Sequence, residues 1–204
     1  SACFTRRTSG VRISHRPLRH TMDAIKNLTT RQSSKNLELP FPSEEEMYIV
    51  YQSALRAPDH ARLKPSRFLE FKGESLNKLS KIFENFAKDK FSDDKAFIEK
   101  AKIAPFRAPM VIVLVVKVKE HPKVPAIEQM LSTGAAAQNI LLALHALGYS
   151  GIWKTGKLAL NDDIVKYFNL DTNHHILGYI YVGTKSRDDK KVPEIDLEDF
   201  VTVQ

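Results

Sequence analysis

The sequence predicts a single α+β domain with more helices than strands. Apolar residues recur at helical spacing in several segments, as at Met47, Val50 and Ala54. The segment from Met110 to Val116 is instead short, apolar and rich in β-branched residues, which indicates a buried strand. The last two predicted strands flank only one short helix, so the pattern favours α+β over a parallel α/β sheet. The length of 204 residues fits one such domain.

Capping signals place the ends of the predicted elements. Ser43 and Glu46 have capping-box spacing and begin a helix that Pro58 stops. Ser92 and Asn161 are the expected N-caps of two later helices. The predicted helices are 22–30, 43–57, 74–90, 92–103, 124–147 and 161–168, and the predicted strands are 67–71, 110–119, 149–153 and 175–182.

The net charge of +7 is unevenly distributed along the chain. Residues 1–21 contain arginines and no acid, and without them the remainder is nearly balanced. No basic stripe is interleaved with aromatic residues, so we expect no nucleic-acid partner. A single cysteine excludes an internal disulfide framework, and no apolar run is long enough to cross a bilayer. We therefore expect a cytoplasmic protein that does not bind membranes.

Residues 1–21 have the composition of an organellar transit peptide, being rich in arginine and serine. A genuine transit peptide would place the protein in an organelle. Met22 followed by Asp23 resembles a native start, so the preferred interpretation is an artificial or read-through extension. Either interpretation leaves 22–204 as the folded domain.

Common catalytic and metal-binding motifs are absent from the sequence. It has no G-x-S-x-G elbow, no P-loop, no G-x-G-x-x-G after a strand and no H-E-x-x-H. His174 and His175 are adjacent on a strand and should point to opposite faces, so we expect no metal site there. We assign no catalytic side chain, and any chemistry should come from a bound cofactor.

Two polar segments follow the first two helices. Arg31 and Ser33 could bracket a phosphate, with the guanidinium as a charge-assisted fork; the alternative is a solvated helix end. Arg56 and His60 lie on either side of a proline that restricts the loop. The alternative there is that Arg56 pairs with Asp59 to cap the helix.

The only tryptophan, Trp153, lies between glycines. Glycines allow a flat ligand to approach the backbone, and the indole could pack on such a ligand. The alternative is an ordinary buried tryptophan in a strand. In the long helix, residues 132–137 are small and the later turns are apolar on more than one face, which predicts burial against a partner helix.

Together these segments resemble the nitroreductase family, in particular its short bacterial branch of NAD(P)H nitroreductases. The resemblance extends from Met22 to the C-terminus. Each motif is weak alone, but their order and spacing make the match specific. The matching segments are Arg31-Gln32-Ser33, Arg56-Ala57-Pro58-Asp59-His60, Ala104-Pro105-Phe106-Arg107-Ala108-Pro109, Gly151-Ile152-Trp153-Lys154-Thr155-Gly156, and Gly178 to Gly183 with Thr184.

The resemblance implies a central, mostly antiparallel sheet flanked by helices and an intertwined homodimer with FMN at the subunit interface. It implies that 31–33 hold the phosphate and ribityl end, that 153–155 lie beside the isoalloxazine, and that Arg56 and His60 contribute from either subunit. The implied FMN residues are Arg31, Gln32, Ser33, Arg56, His60, Trp153, Lys154 and Thr155. The implied nicotinamide-cofactor residues are Ala143, Leu144, His145, Ala146, Leu147 and Gly148.

The implied activity is an NAD(P)H-dependent flavin oxidoreductase that reduces FMN and then a small acceptor such as a nitroaromatic or a quinone. The sequence leaves the physiological acceptor and the choice of NADH or NADPH open. Enone reduction, reductive dehalogenation and a non-catalytic flavin-binding partner protein are alternatives, as is an interaction domain without cofactor. Lys64-Pro65-Ser66 stands where many relatives carry Gln-Pro-Trp, which should reshape the substrate pocket.

Overall fold

A computed structural model describes residues 22–187, 191–192 and 194–204. The segment 1–21 and both interpretations of it lie outside the described residues. The helices are α1 Ala24–Thr30, α2 Glu44–Ala54, α3 Ser75–Lys90, α4 Lys95–Ile103, α5 Ala126–Ala146 and α6 Ile164–Tyr167. The strands are β1 Leu37–Glu38, β2 Ser66–Lys72, β3 Met110–Lys117, β4 Ser150–Lys154 and β5 His174–Lys185. Single 3₁₀ turns occupy His60–Arg62, Ala104–Arg107 and Leu197–Asp199.

The strands form one sheet in the order β1-β5-β3-β2, and β4 also pairs with β5. All of these pairings are antiparallel, which confirms the predicted sheet. One edge of β5 pairs with β3, while its other edge pairs first with β4 and then with β1. An isolated parallel bridge joins Ser33 to Gly151 at the outer edge of β4. The chain that follows α1 therefore runs beside β4.

The central strand β3 is buried on both faces, which explains its continuous apolar sequence. Met110, Ile112 and Leu114 pack on one face of the sheet, in the core cluster that includes α2 and α5 residues. Val111 and Val113 pack on the other face, in the cluster that includes α3 and α4 residues. The domain thus has helices on both sides of the sheet, and α5 covers the first face.

The capping predictions had mixed outcomes. The capping box is confirmed, because Glu46 N–H donates to Ser43 Oγ and Ser43 N–H donates to Glu46 Oε2. The prediction for Ser92 was wrong: α4 begins later, where the Asp94 carboxylate accepts from the Phe97 N–H at 2.9 Å. The ionised carboxylate makes the stronger cap.

The prediction for Asn161 was also wrong in part. Its side chain accepts from the Asp163 N–H at 2.9 Å and forms a turn, but α6 comprises only Ile164–Tyr167. His174 is buried while His175 is half-buried, as expected for neighbours on a strand. In the described residues, no cluster of His, Cys, Asp and Glu is arranged to hold a metal ion. None of the described helices is both long enough and apolar enough to span a bilayer.

Candidate functional site

Arg31 lies at the C-terminal end of α1 and has an unusual environment. Its backbone N–H donates to the Asn27 carbonyl, which ends the helix. Its Nη1 atom is buried and has no hydrogen-bond partner among the described residues. A buried guanidinium N–H without an acceptor is costly, and native structures rarely leave one unpaired. Phosphate and carboxylate oxygens are the acceptors that such a fork binds through two parallel hydrogen bonds.

The bridge between Ser33 and Gly151 places Arg31 and Ser33 beside β4. Ser34 N–H also donates to the Gly151 carbonyl at 3.3 Å. Beyond Gly151, the outer edge of β4 toward Lys154 pairs with none of the strands in the described part. Two of the segments that the sequence links to FMN, 31–33 and 153–155, therefore lie along one strand edge.

The C-terminal end of α5 adjoins the same region. Asn27 Nδ2 donates to the Leu142 carbonyl at 3.1 Å, and Thr30 Oγ1 lies 3.2 Å from His145 Nε2. The predicted nicotinamide stretch 143–148 therefore packs against α1. Within it, Leu144 is fully buried, whereas Gly148 is exposed with a φ of +85°. The part that can contact a ligand is the exposed turn around Gly148, and the nicotinamide assignment stays a prediction.

Neighbouring side chains of β4 point to opposite faces of the sheet. Trp153 packs in the core cluster that includes α5, and its Nε1 donates to the Leu177 carbonyl at 3.1 Å. The indole is thus held as an ordinary packed tryptophan, and a ligand beside β4 would meet the strand backbone. Lys154 lies on the other face, with its Nζ 4.9 Å from the centre of the Tyr181 ring.

Gly178 makes room for Trp153. It has a φ of +139°, and a Cβ there would lie 2.3 Å from Trp153 Nε1 and 2.7 Å from the Lys154 carbonyl oxygen. A side chain would collide with both, so only glycine fits opposite the end of β4. The sequence includes Gly178 in a matching motif, but this steric role becomes visible only when β4 and β5 are paired.

The electrostatics of Lys154 also stand out. Burial lowers the pKa of its ammonium below the ordinary value, and repulsion from Arg107 lowers it further. Lys35 and Lys100 act in the same direction. Sequence reasoning did not single out Lys100 or assign a role to Arg107, because α4 and the turn after it approach β4 only in the folded sheet.

Arg56 and His60 lie elsewhere, in the loop between α2 and β2. His60 Nδ1 is 2.7 Å from Glu128 Oε2 at the start of α5. Asp59 accepts from the backbone N–H groups of Leu63 and Lys64, at 3.1 and 2.7 Å. The alternative pairing of Arg56 with Asp59 is therefore not what the structure shows.

The same loop has a strained backbone. Ala61, Arg62 and Lys64 have φ values of 57°, 54° and 52°, although none is a glycine. Such conformations persist only where surrounding contacts enforce them, and they are enriched at functional sites. The Asp59 carboxylate supplies two of these contacts. Lys119 Nζ supplies another by donating to the Leu63 carbonyl at 2.7 Å.

The predicted flavin residues form two groups, which lie near opposite edges of the sheet. Three interstrand steps separate β4 from β2, which is roughly 14 Å at about 4.8 Å per step. Arg31 and Lys154 adjoin β4, whereas Arg56 and His60 precede β2. A second copy of the chain would be the simplest means of combining both groups in one site.

Comparisons with known proteins agree with this architecture. Solved nitroreductase-like structures share the fold of this chain, an antiparallel sheet between two helical layers. A nitroreductase-like protein from Bacillus cereus superposes with a TM-score of 0.75 at 20% identity, covering 90% of this chain and 96% of that one. The nitroreductase CinD from Lactococcus lactis, solved with chloramphenicol, gives 0.69 at 20% identity, covering 88% and 98%.

Sequence comparison identifies the family. The model of the Nitroreductase family matches residues 28–184. An Escherichia coli (strain K12) protein with the provisional name NAD(P)H nitroreductase YdjA is 38% identical over 163 residues, which is 80% of this chain and 88% of YdjA. A Haemophilus influenzae protein with a similar provisional name is 36% identical over 183 residues, or 89% and 99%. The chain belongs to the Nitroreductase family.

Proposed function

We propose that the protein is an FMN-dependent oxidoreductase that takes electrons from NADH or NADPH and passes them to a small organic acceptor. The observation that carries this proposal is the buried, unpartnered Nη1 of Arg31 beside the open edge of β4. The position fits the phosphate of a mononucleotide, and the strand edge fits a flat ring system. The relative YdjA is named as an NAD(P)H nitroreductase, and a Vibrio harveyi structure of the same fold is an NADPH:FMN oxidoreductase.

In this proposal Arg31 holds the phosphate as a charge-assisted fork, and Ser33 adds a hydroxyl donor. Bound FMN supplies the hydride chemistry that no side chain of the site offers. The ammonium of Lys154 favours the negatively charged, reduced form of the cofactor, because opposite charges attract across a partly buried space. His60, aligned by Glu128, contributes from the other subunit of a dimer.

The overall reaction balances with one proton from solvent. A nicotinamide hydride carries two electrons and one proton, and solvent supplies the second proton. A nitro group that receives them becomes a nitroso group and releases water, whereas a quinone becomes a hydroquinone. The donor and the acceptor use the site in turn, in a ping-pong sequence.

Exposed apolar side chains support the homodimer. Ile127 and Leu131 lie one helical turn apart on α5 and are 59% and 66% exposed. Ile25 and Leu28 on α1 are 66% and 56% exposed. These two exposed pairs lie near opposite ends of α5, because α1 packs against its C-terminal end, and each is available to a symmetric partner. Ser132, Thr133, Ala136 and Ala137 are already buried within the protomer, so the predicted partner helix is not needed to explain these small residues. The expected cytoplasmic location stays a prediction.

The absorbance spectrum of the purified protein is the first test, since bound flavin gives a yellow protein. Cofactor released by heat should co-elute with FMN on HPLC, and a dominant FAD peak would contradict the proposal. Anaerobic titration with NADH and with NADPH then measures reduction by each donor. NAD(P)H oxidation that is unchanged by a nitroaromatic or a quinone would instead favour a flavin-binding partner protein. A colourless protein that takes up no added FMN would indicate an interaction domain.

A further inference from the structure

A cavity of about 540 Å³ opens between α4, the turn 104–107 and the end of β4. Lys100 and Arg107 line it from the helical layer, and Lys154 lines it from the strand. The cavity lies on the sheet face opposite α5, so neither Trp153 nor the core below α5 contributes to it.

Three cationic side chains of the cavity, Lys100, Arg107 and Lys154, have no acidic partner among the described residues that line it, whereas Lys157 pairs with Asp94. The ionised neighbours that shift the pKa of Lys154 are all cations. Asp94 is the one acid among the described residues that line the cavity. Its carboxylate already accepts from the Phe97 N–H at 2.9 Å and from Lys157 Nζ at 3.3 Å. The ammonium of Lys154 is instead placed over the Tyr181 ring.

Lys154 is half-buried and is repelled by the exposed cations Arg107 and Lys100, and a bound anion would relieve that repulsion. Arginine binds carboxylates and phosphates through two parallel hydrogen bonds, which makes Arg107 the best anchor. The other walls include the apolar and aromatic side chains of Phe97, Ala104 and Tyr181. The cavity therefore suits a molecule with an aromatic body and an anionic group.

We propose that this cavity is the subsite for the carboxylate of an aromatic electron acceptor, with Arg107 and Lys100 as its specificity residues. This inference rests on the proposed function, because the cavity also includes Lys154 and Thr155 from the segment that the flavin is expected to border. An acceptor anchored by Arg107 lies next to that segment. A phosphate of FMN or of NADPH has similar chemistry, and the test separates these sources.

The test compares para-nitrobenzoate with its uncharged analogue para-nitrobenzamide as acceptors for the FMN-loaded protein. Arg107→Gln and Lys100→Gln each remove one charge from the cavity. Each should raise the KM for para-nitrobenzoate about tenfold, the effect of losing one charge-assisted hydrogen bond, and leave the KM for the amide within about twofold. Lys95→Gln is the matched control, because Lys95 is exposed on α4 and does not line the cavity.

Benzoate binding measured by calorimetry tests the cavity without any turnover. The wild-type protein and the Lys95→Gln control should bind benzoate, and Arg107→Gln should bind it about tenfold more weakly. Equal KM changes for both acceptors, or unchanged benzoate binding, would overturn the subsite. If the Arg107→Gln or Lys100→Gln variant instead loses FMN, or raises only the KM for NADPH, these cations bind a phosphate of FMN or NADPH. That result would also overturn the subsite. A protein that binds benzoate but oxidises no NAD(P)H would contradict the proposed function; the cavity would then be an aromatic-carboxylate site but not an acceptor subsite.

Discussion

Replacing Arg31 with alanine tests the proposed phosphate site directly. In the structure the buried Nη1 atom has no partner, so the guanidinium contributes no visible hydrogen bond through that atom to the cofactor-free fold. Removing it should therefore leave the stability of the cofactor-free protein nearly unchanged or slightly increased. With FMN bound, the same substitution removes a charge-assisted hydrogen bond worth about 1.5–3 kcal/mol. The dissociation constant for FMN should rise roughly tenfold to a hundredfold.

The same change has a predictable effect on thermal or urea stability. FMN at about a hundredfold excess over the wild-type dissociation constant stabilises the protein by about 2.7 kcal/mol. At the same FMN concentration, a variant that binds FMN tenfold more weakly is stabilised by about 1.4 kcal/mol, and one that binds it a hundredfold more weakly by about 0.4 kcal/mol. The loss thus appears only in the presence of FMN.

The assay is urea unfolding with and without FMN, together with fluorescence titration of FMN. Lys26→Ala is the matched control, because Lys26 is exposed on the same helix. Arg31→Lys should be intermediate, since it keeps the charge but loses the fork. An unchanged dissociation constant would refute a phosphate at Arg31. Equal destabilisation with and without FMN would show that Arg31 supports the fold instead.

Three further predictions concern the fold and the assembly. Gly178→Ala should lower the free energy of unfolding, measured in urea, by more than about 1 kcal/mol, because its Cβ would lie 2.3 Å from Trp153 Nε1. Gly148→Ala should lower the free energy of unfolding less, because the space around Gly148 is open. Burial, and next the hydrogen bond to Glu46, raise the pKa of Tyr149 to about 12, so the folded protein keeps a proton that the unfolded chain loses above about pH 10. The free energy of unfolding should therefore keep its full Tyr149 contribution below pH 10 and fall as the pH rises toward 12. Tyr149→Phe should reduce this fall in the free energy of unfolding. Light scattering at low micromolar concentration should show a dimer that Leu131→Glu weakens; an FMN-loaded wild-type monomer would contradict the shared site.

The helices and strands were predicted well where the residues of the segment itself determine its structure. The long helix was expected over 124–147 and spans Ala126–Ala146, because its apolar periodicity and the glycine after it suffice. The strand β1 was not predicted, because it has only two residues and depends on its pairing with the end of β5. That pairing also explains why β5 extends beyond the expected 182 to Lys185.

The strained loop before β2 could not be predicted for a related reason. In a sequence, glycine or asparagine is the usual indication of a positive φ, but the residues that adopt it here are alanine, arginine and lysine. Contacts from Asp59 and Lys119 enforce this backbone, and the latter residue is distant in sequence. The pairing of His60 with Glu128 depends on the same folded loop. Sequence reasoning could name His60 but not the carboxylate that aligns it.

The short strand β4 includes Trp153 and Lys154, which the sequence predicted for the site, and it borders the cavity beside α4, which the sequence did not predict. Alternation along the strand directs Trp153 toward α5 and Lys154 toward α4, so adjacent residues in one predicted segment serve different roles. Because the Ser33 bridge ends at Gly151, the backbone beyond it remains open beside Arg31. A flat cofactor along that edge would have the cationic cavity on one side of the sheet and α5 on the other. Changes at Arg31 should therefore alter cofactor affinity, while changes at Arg107 should alter the choice of acceptor.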